Sequence, residues 1–460
     1  PVIALVQDHA LGMKGKNASS ELDHAAALAP YVKAAIRIDE PSQAPDRVRR
    51  AFRIATSGRP GPVALLCPTD VMANEGEGDT AAIERYAQFP SLRPRPPAED
   101  IDRAAALLKS AARPLIVAGG GSVISGAFDE VRALAELLGA PVATTMTGKG
   151  AIAESHPLSV GVLGTSTGGL YGRGKIANEL FAEADVVIVL GSRTGQICYN
   201  NWTTPRRETS LIHLDIDPDE IGRNFATAAP LAGDVRESLR DLLKACKQSG
   251  VAPRSAGDNG VLAAKKDEWL AEIAPVANSN RAPMRPERVI AEVNRVVADN
   301  TLIVTDASYS TGWAMNQMEA PVAGRFMLSP RGTASIGWGL PAAIGAKLAD
   351  PLRDVICVTG DGGFGYVINE LETAARYRVD LLVIVFNNAT LGFQRHWEEK
   401  ALGSYLDCDF LDVDYSEVAR ALKASGERVT DPAHLAAAIA RGRAHLGPYV
   451  IDAVIDPEAA

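Results

Sequence analysis

What this 460-residue chain lacks narrows its function first. No run of lysine or arginine interrupts a sequence whose formal net charge is −9, so a nucleic acid partner is not expected. The five cysteines, Cys67, Cys198, Cys246, Cys357 and Cys408, are scattered without CxxC spacing. That argues against a zinc site or a disulfide framework and fits a reducing, cytoplasmic setting. No apolar stretch approaches the length of a membrane span, so no membrane partner is expected either. The opening, PVIALVQDHA, has neither an initiator Met nor a basic region. It does not read as a signal peptide but as a strand already in progress, and we expect the native chain to begin further upstream.

What remains is ordinary globular composition, 47% hydrophobic and 22% charged, at a length that suggests about three domains. Residues 354–390 are the most informative stretch. A short, β-branched apolar run at residues 355–358 reads as a buried strand. Gly360-Asp361-Gly362-Gly363 ends it, and the glycines are expected to supply backbone angles that other residues resist. Over residues 366–377 the apolar positions Val367, Leu371, Ala374 and Ala375 fall at helical spacing, and a second apolar strand at 381–386 ends at Asn387-Asn388. Strand, helix, strand at this length is a βαβ unit with parallel strands, so Asp361 and Asn388 both emerge at carboxyl ends, where ligands of open α/β sheets settle. Two hard oxygen donors beside a glycine-rich turn suit Mg²⁺, which completes its octahedron with phosphate oxygens and water. The helix that follows the turn favours a phosphate at its start.

GDG, then NN at the end of the next strand, resembles the signature of thiamine diphosphate enzymes of the acetolactate synthase-like family. The resemblance implies an α/β fold of three doubly wound parallel-sheet domains, the first incomplete and the central one Rossmann-like. The expected layout is the second half of a pyrimidine-binding domain at 1–88, a linker at 89–100, the central domain at 101–246, a connection at 247–285 that is polar and irregular apart from a helix at 261–273, and a diphosphate- and Mg²⁺-binding domain at 286–460. Four prolines in residues 89–100 independently mark a stiff linker. By the same resemblance, Asp361, Asn388 and the backbone carbonyl of Thr390 hold the metal, with Gly360, Gly362 and Gly363 around the diphosphate and Ser308, Tyr309 and Ser310 as its donors. A second matching stretch, SPRGTASIGWGLPAAIGAK, places Ile336 as the wedge that folds the cofactor's two rings together and Ala334 as the residue whose carbonyl accepts from the 4′-amino group. Gln7, Phe393 and Trp397 would line the substrate pocket. The family's catalytic glutamate has no counterpart here, and Glu21 and Glu40 read as solvated surface. No catalytic residue is therefore assigned within this sequence.

In the central domain Gly119, Gly120 and Gly121 follow a strand, as Arg193, Asp215 and Asp234 follow others. These are candidates for FAD or another nucleotide, although GGGS is not the full dinucleotide fingerprint and an empty structural cleft is the other reading. The implied activity is that of a carboligase or decarboxylase, a transferase or lyase acting on a 2-oxo acid, in a homodimer or homotetramer. Ser19, Ser20 and Phe393 depart from the acetolactate pattern. A lyase or decarboxylase acting on another 2-oxo acid or an acyl-CoA, and a non-catalytic cofactor-binding homologue, are the alternatives. A nicotinamide oxidoreductase would rest on Gly119–Gly121 alone.

Overall fold

The computed structural model describes residues 1–459 except 82, 83, 165–170 and 255–258. Its strands form three sheets, and every pairing within them is parallel. The first sheet holds β1 (Val2–Asp8), β2 (Ala34–Arg37) and β3 (Pro62–Pro68) in the order β1-β3-β2. The second holds β4 (Pro114–Ala118), β5 (Val142–Thr144), β6 (Ser159–Val162), β7 (Val186–Leu190), β8 (Ser210–Asp215) and β9 (Ala229–Ala232) in the order β6-β5-β4-β7-β8-β9. The third holds β10 (Thr301–Thr305), β11 (Met327–Leu328), β12 (Asp354–Gly360), β13 (Leu381–Asn387), β14 (Ser425–Val429) and β15 (Pro448–Val454) in the order β11-β10-β12-β13-β15-β14.

The third sheet shows why its central strands read as unbroken apolar runs. Ile356, Val358, Leu382 and Ile384 pack into one helical layer, and the alternate residues Val355, Cys357, Val383 and Val385 pack into the other. A strand covered on both faces has no solvent side on which to place polar residues. The central sheet is built likewise, around a single core that runs from Ile101 to Ile273.

The helix expected at 261–273 within the connection is present as Asn259–Ala277, and its Trp269 and Ile273 are buried in the central core. One expectation needs correction. The stretch after β12 is not a loop before a helix. A helix starts at once, Asp361–Val367, and a second follows, Glu370–Arg376.

The central and C-terminal domains are joined by a buried polar seam. Lys149, 3% exposed, donates to both carboxylate oxygens of Glu154, at 2.7 and 2.8 Å, and to the carbonyl of Met315 at 3.3 Å. Glu154 in turn accepts from the backbone N–H of Ala320. Gly150 lies at φ +93°, where a Cβ would stand 2.3 Å from the Gly324 carbonyl oxygen, so the two backbones meet only because there is no side chain. Among the described residues no helix is long and apolar enough to cross a membrane.

Candidate functional site

The parallel register sets Gly360 beside Phe386, so β12 and β13 end side by side and the residues after them converge. Asp361 is buried, and its carboxylate is held wholly by main chain. Oδ1 accepts from Gly362 N–H at 2.8 Å, and Oδ2 from Asn388 and Ala389 N–H at 3.1 and 2.7 Å. Burial nevertheless pushes its pKa up to about 6 against the pull of those donors, with Asp452 adding to the rise. No lysine or arginine pairs with Asp361 among the described residues. Ala389 adopts φ 53°, a left-handed turn that reverses the chain directly after Asn388. The Asn388 side chain makes no hydrogen bond within the described chain. Thr390 is buried, its hydroxyl donating to the Cys408 carbonyl and its own carbonyl accepting from Gly392 N–H at 2.9 Å.

Carboxylate, amide oxygen and carbonyl are hard donors, with no thiolate or imidazole among them. Among the described residues no group of three or more His, Cys, Asp and Glu side chains gathers to hold a metal by itself. That is the donor set of a Mg²⁺ shared with phosphate oxygens, and the uncompensated buried Asp361 is the anion such a cation would neutralise.

The glycines here do not serve the purpose expected of them. Gly360, Gly362 and Gly363 all have negative φ, and the latter two make room instead. A Cβ on Gly363 would lie 2.9 Å from Asp306 Cγ, and one on Gly362 3.0 Å from Leu391 and 3.3 Å from Phe410. Asp306, which sequence reasoning passed over, ends β10 fully buried. It accepts from Ala307 and Gly337 N–H through Oδ1 and from Gly339 N–H through Oδ2, at 2.7, 3.0 and 2.9 Å. It thereby ties the loop of Ala334 and Ile336 to the strand end. Ala334 has φ 54°, and Ile336 is 39% exposed just before the helix Gly339–Ala349. A bulky apolar side chain left in the open beside a strained residue is what a wedge under a ring system requires.

Of the hydroxyls expected as phosphate donors, two are engaged inside the chain. Ser310 donates to the Ala307 carbonyl at 3.0 Å, and the Tyr309 hydroxyl lies 3.3 Å from His396 Nδ1. Ser308, exposed and at φ 70°, is the hydroxyl that faces outward. Phe393 and Trp397 share the open face of the helix Gly392–Leu402, 53% and 56% exposed. Gln7 is exposed at the end of β1 on a different sheet, and no hydrogen bond among the described residues joins it to the C-terminal site. Glu21 spans a loop, accepting from Gly15 and Ala18 N–H.

The second convergence of strand ends lies in the central domain. Strand order reverses between β4 and β7, and a cleft of 710 Å³ opens there, whose lining includes Gly120, Gly121, Arg193, Asp215 and Asp234 with Arg59 and Arg331. Gly119 is not in its wall but under it, where a Cβ would stand 2.2 Å from the Gly191 carbonyl oxygen. Asp234 is occupied by Arg93 and Ser125 and caps the helix Val235–Gln248. Burial pushes Asp215 up to about 6. Arg193 and Arg331 have no acidic partner among the described residues.

Two stretches of the chain match known family models. Residues 101–242 match the family described as "Thiamine pyrophosphate enzyme, central domain", and residues 306–453 match "Thiamine pyrophosphate enzyme, C-terminal TPP binding domain". A probable acetolactate synthase large subunit of Methanocaldococcus jannaschii is 34% identical, over 100% of this chain and 78% of its own length. One from Methanococcus aeolicus is 32% identical with the same coverage, and a glyoxylate carboligase of Escherichia coli O157:H7 is 29% identical over 95% of this chain and 74% of its own.

Proposed function

This chain belongs to the acetolactate synthase-like family of thiamine diphosphate-dependent enzymes, and on that premise we propose that it decarboxylates pyruvate and joins the two-carbon unit to a second pyruvate, forming acetolactate. The broader activity, a thiamine diphosphate- and Mg²⁺-dependent carboligase or decarboxylase of 2-oxo acids, follows from family membership. Bound thiamine diphosphate supplies a carbon nucleophile and an electron sink, and the protein supplies position and electrostatics.

Asp361, Asn388 and the Thr390 carbonyl would hold the metal, and Ser308 with the first turn of the helix Asp361–Val367 would meet the diphosphate. Ile336 and Ala334 would hold the rings folded, and Phe393 and Trp397 would shield the acceptor from water. The observation that carries this reading is the buried Asp361 carboxylate, fixed by the main chain of the next strand end beside the unengaged amide of Asn388. Mass spectrometry of acid-released ligands tests the cofactor. Product analysis with pyruvate tests the rest: acetolactate supports the proposal, and acetaldehyde or no turnover overturns it in favour of a decarboxylase or lyase of another 2-oxo acid or an acyl-CoA. Exposed Ser19 and Ser20 and the aromatic Phe393 support that second reading.

Two further readings are part of the proposal. The central cleft takes FAD or another nucleotide, whose pyrophosphate would lie against Arg193 and Arg331. The working unit is a homodimer or homotetramer, a reading supported by the distance in topology between Gln7 and the Asp361 site. Light scattering on the purified protein measures the latter directly.

A further inference from the structure

The start of the helix Tyr309–Gln317 and the helix Gly392–Leu402 meet through rings. Tyr309 lies 5.5 Å from Phe393, edge-on at 69°, 5.6 Å from His396 and 5.3 Å from Trp313, whose far side packs 5.8 Å from Phe386. On the helix Gly392–Leu402, His396 meets Tyr309 through a polar atom. His396 Nε2 stands 3.0 Å from the Pro457 carbonyl, which can only accept, so Nε2 carries the proton. In the neutral imidazole Nδ1 is then an acceptor, and the Tyr309 hydroxyl donates to it across 3.3 Å. Burial raises the Tyr309 pKa and keeps that phenol protonated. The neighbouring Arg395 makes the same connection to the tail, 2.5 Å from Glu458.

The helix Gly392–Leu402 is held by specific contacts, including Glu398 accepting from Leu406 N–H at 3.0 Å and Arg395 over the Tyr405 ring at 4.7 Å. Among its residues only Gly392 is buried, and both large apolar side chains on its open face are more than half exposed. A helix without a buried apolar stripe is positioned by its specific contacts rather than by packing.

We propose that His396 is a positioning residue: by accepting a hydrogen bond from the Tyr309 hydroxyl on one edge and donating to the Pro457 carbonyl on the other, it clasps the helix that carries Phe393 and Trp397 to the start of the helix Tyr309–Gln317 and to the tail after β15, and so sets the width of the acceptor side of the site. This rests on the reading that Phe393 and Trp397 line the acceptor pocket. It also assigns Tyr309 a role other than diphosphate donor, because its one proton is committed to His396.

The test uses the full chain and five forms of it: parent, His396→Ala, Tyr309→Phe, the double variant and His396→Gln. Amide exchange over residues 391–402, measured with no ligand added, is expected to rise about tenfold in Tyr309→Phe, the loss of one net hydrogen bond, and further in His396→Ala, which also loses the bond to Pro457. The double variant is expected to go no further than His396→Ala, because both changes break the Tyr309 link. His396→Gln, whose amide can donate on one side and accept on the other, returns most of the protection. With cofactor added, His396→Ala is expected to raise the KM of the acceptor about tenfold while kcat moves less, as uniform binding is lost. Unchanged exchange, single effects that multiply in the double variant, or coupled exchange with an unmoved acceptor KM in an active parent would each overturn the proposal. A parent that turns over no 2-oxo acid instead sinks the proposed function, while exchange still decides whether the clasp exists.

Discussion

Two strand ends of this chain carry the same outward mark, a glycine-rich turn at the start of a helix with a carboxylate nearby, and they put it to different use. After β4, Gly119 and Gly121 are there so that the backbone can touch the backbone after β7. Of the acids around them, Asp234 is occupied by Arg93 and Ser125 while Asp215 accepts from Asp217 N–H, and the open cleft keeps two arginines, Arg193 and Arg331, with no acidic partner among the described residues. After β12 the glycines clear space for side chains, Asp306 beneath and Phe410 above. The carboxylate there binds only main chain, and an amide is left unengaged. Glycine in such a turn therefore does not by itself mark a ligand. What separates the two ends is the charge beside the carboxylates: arginines line the central cleft, whereas no lysine or arginine pairs with Asp361 among the described residues.

The largest expected difference between the two ends is in cofactor binding. Asp361→Ala should weaken thiamine diphosphate binding in the presence of Mg²⁺ by about a hundredfold or more, whereas Asp215→Ala should leave it within about threefold. Titration calorimetry on both variants decides, and equal losses would erase the distinction.

Next comes the cost of a methyl group. Gly119→Ala drives a Cβ into the Gly191 backbone and the Ser192 Cβ and should lower unfolding free energy by about 3 kcal/mol, while Gly362→Ala meets the movable ends of Leu391 and Phe410 and should cost about 1 kcal/mol. Urea denaturation of the pair would sharpen the comparison or, with the order reversed, break it.

Acidity gives a third handle. Because Asp215 holds its proton up to about pH 6 in the folded chain against 3.8 as its ordinary value, the folded state binds more protons in between, and stability falls as pH rises through that window. Asp215→Asn should thus gain about 1–3 kcal/mol at pH 7 and nothing at pH 4. Melting temperatures that shift equally at both pH values would contradict it.

Smallest is the expected effect of Arg193→Ala, about a tenfold weaker hold on an adenine nucleotide diphosphate with thiamine diphosphate binding untouched. Fluorescence titration with each ligand separates the two, and a nucleotide affinity that stays at the parental value would remove Arg193 from the cleft's function.

How far the fold was legible follows the same logic of burial. The interior strands β4, β7, β10, β12 and β13 announce themselves because both faces are covered. The strands without a clear signal, β2, β6, β9, β11 and β14, all lie at sheet edges, where Gly426, Glu427 and Arg428 or Pro230 are tolerated and the apolar run disappears. At the site, the Asp361 and Asn388 pair was visible because both follow recognisable strands. Asp306, the Phe410 loop and His396 were not, since each acts by a contact to a residue far away in sequence, and no local pattern encodes such a partner.

The seam between Lys149, Glu154, Met315 and Ala320 has a practical corollary for engineering. A chimaera that takes its middle third from one relative and its last third from another would have to transplant both banks of that joint together. Otherwise an ammonium group is stranded in a dry crevice, and the hybrid fails at its hinge however well each half is made.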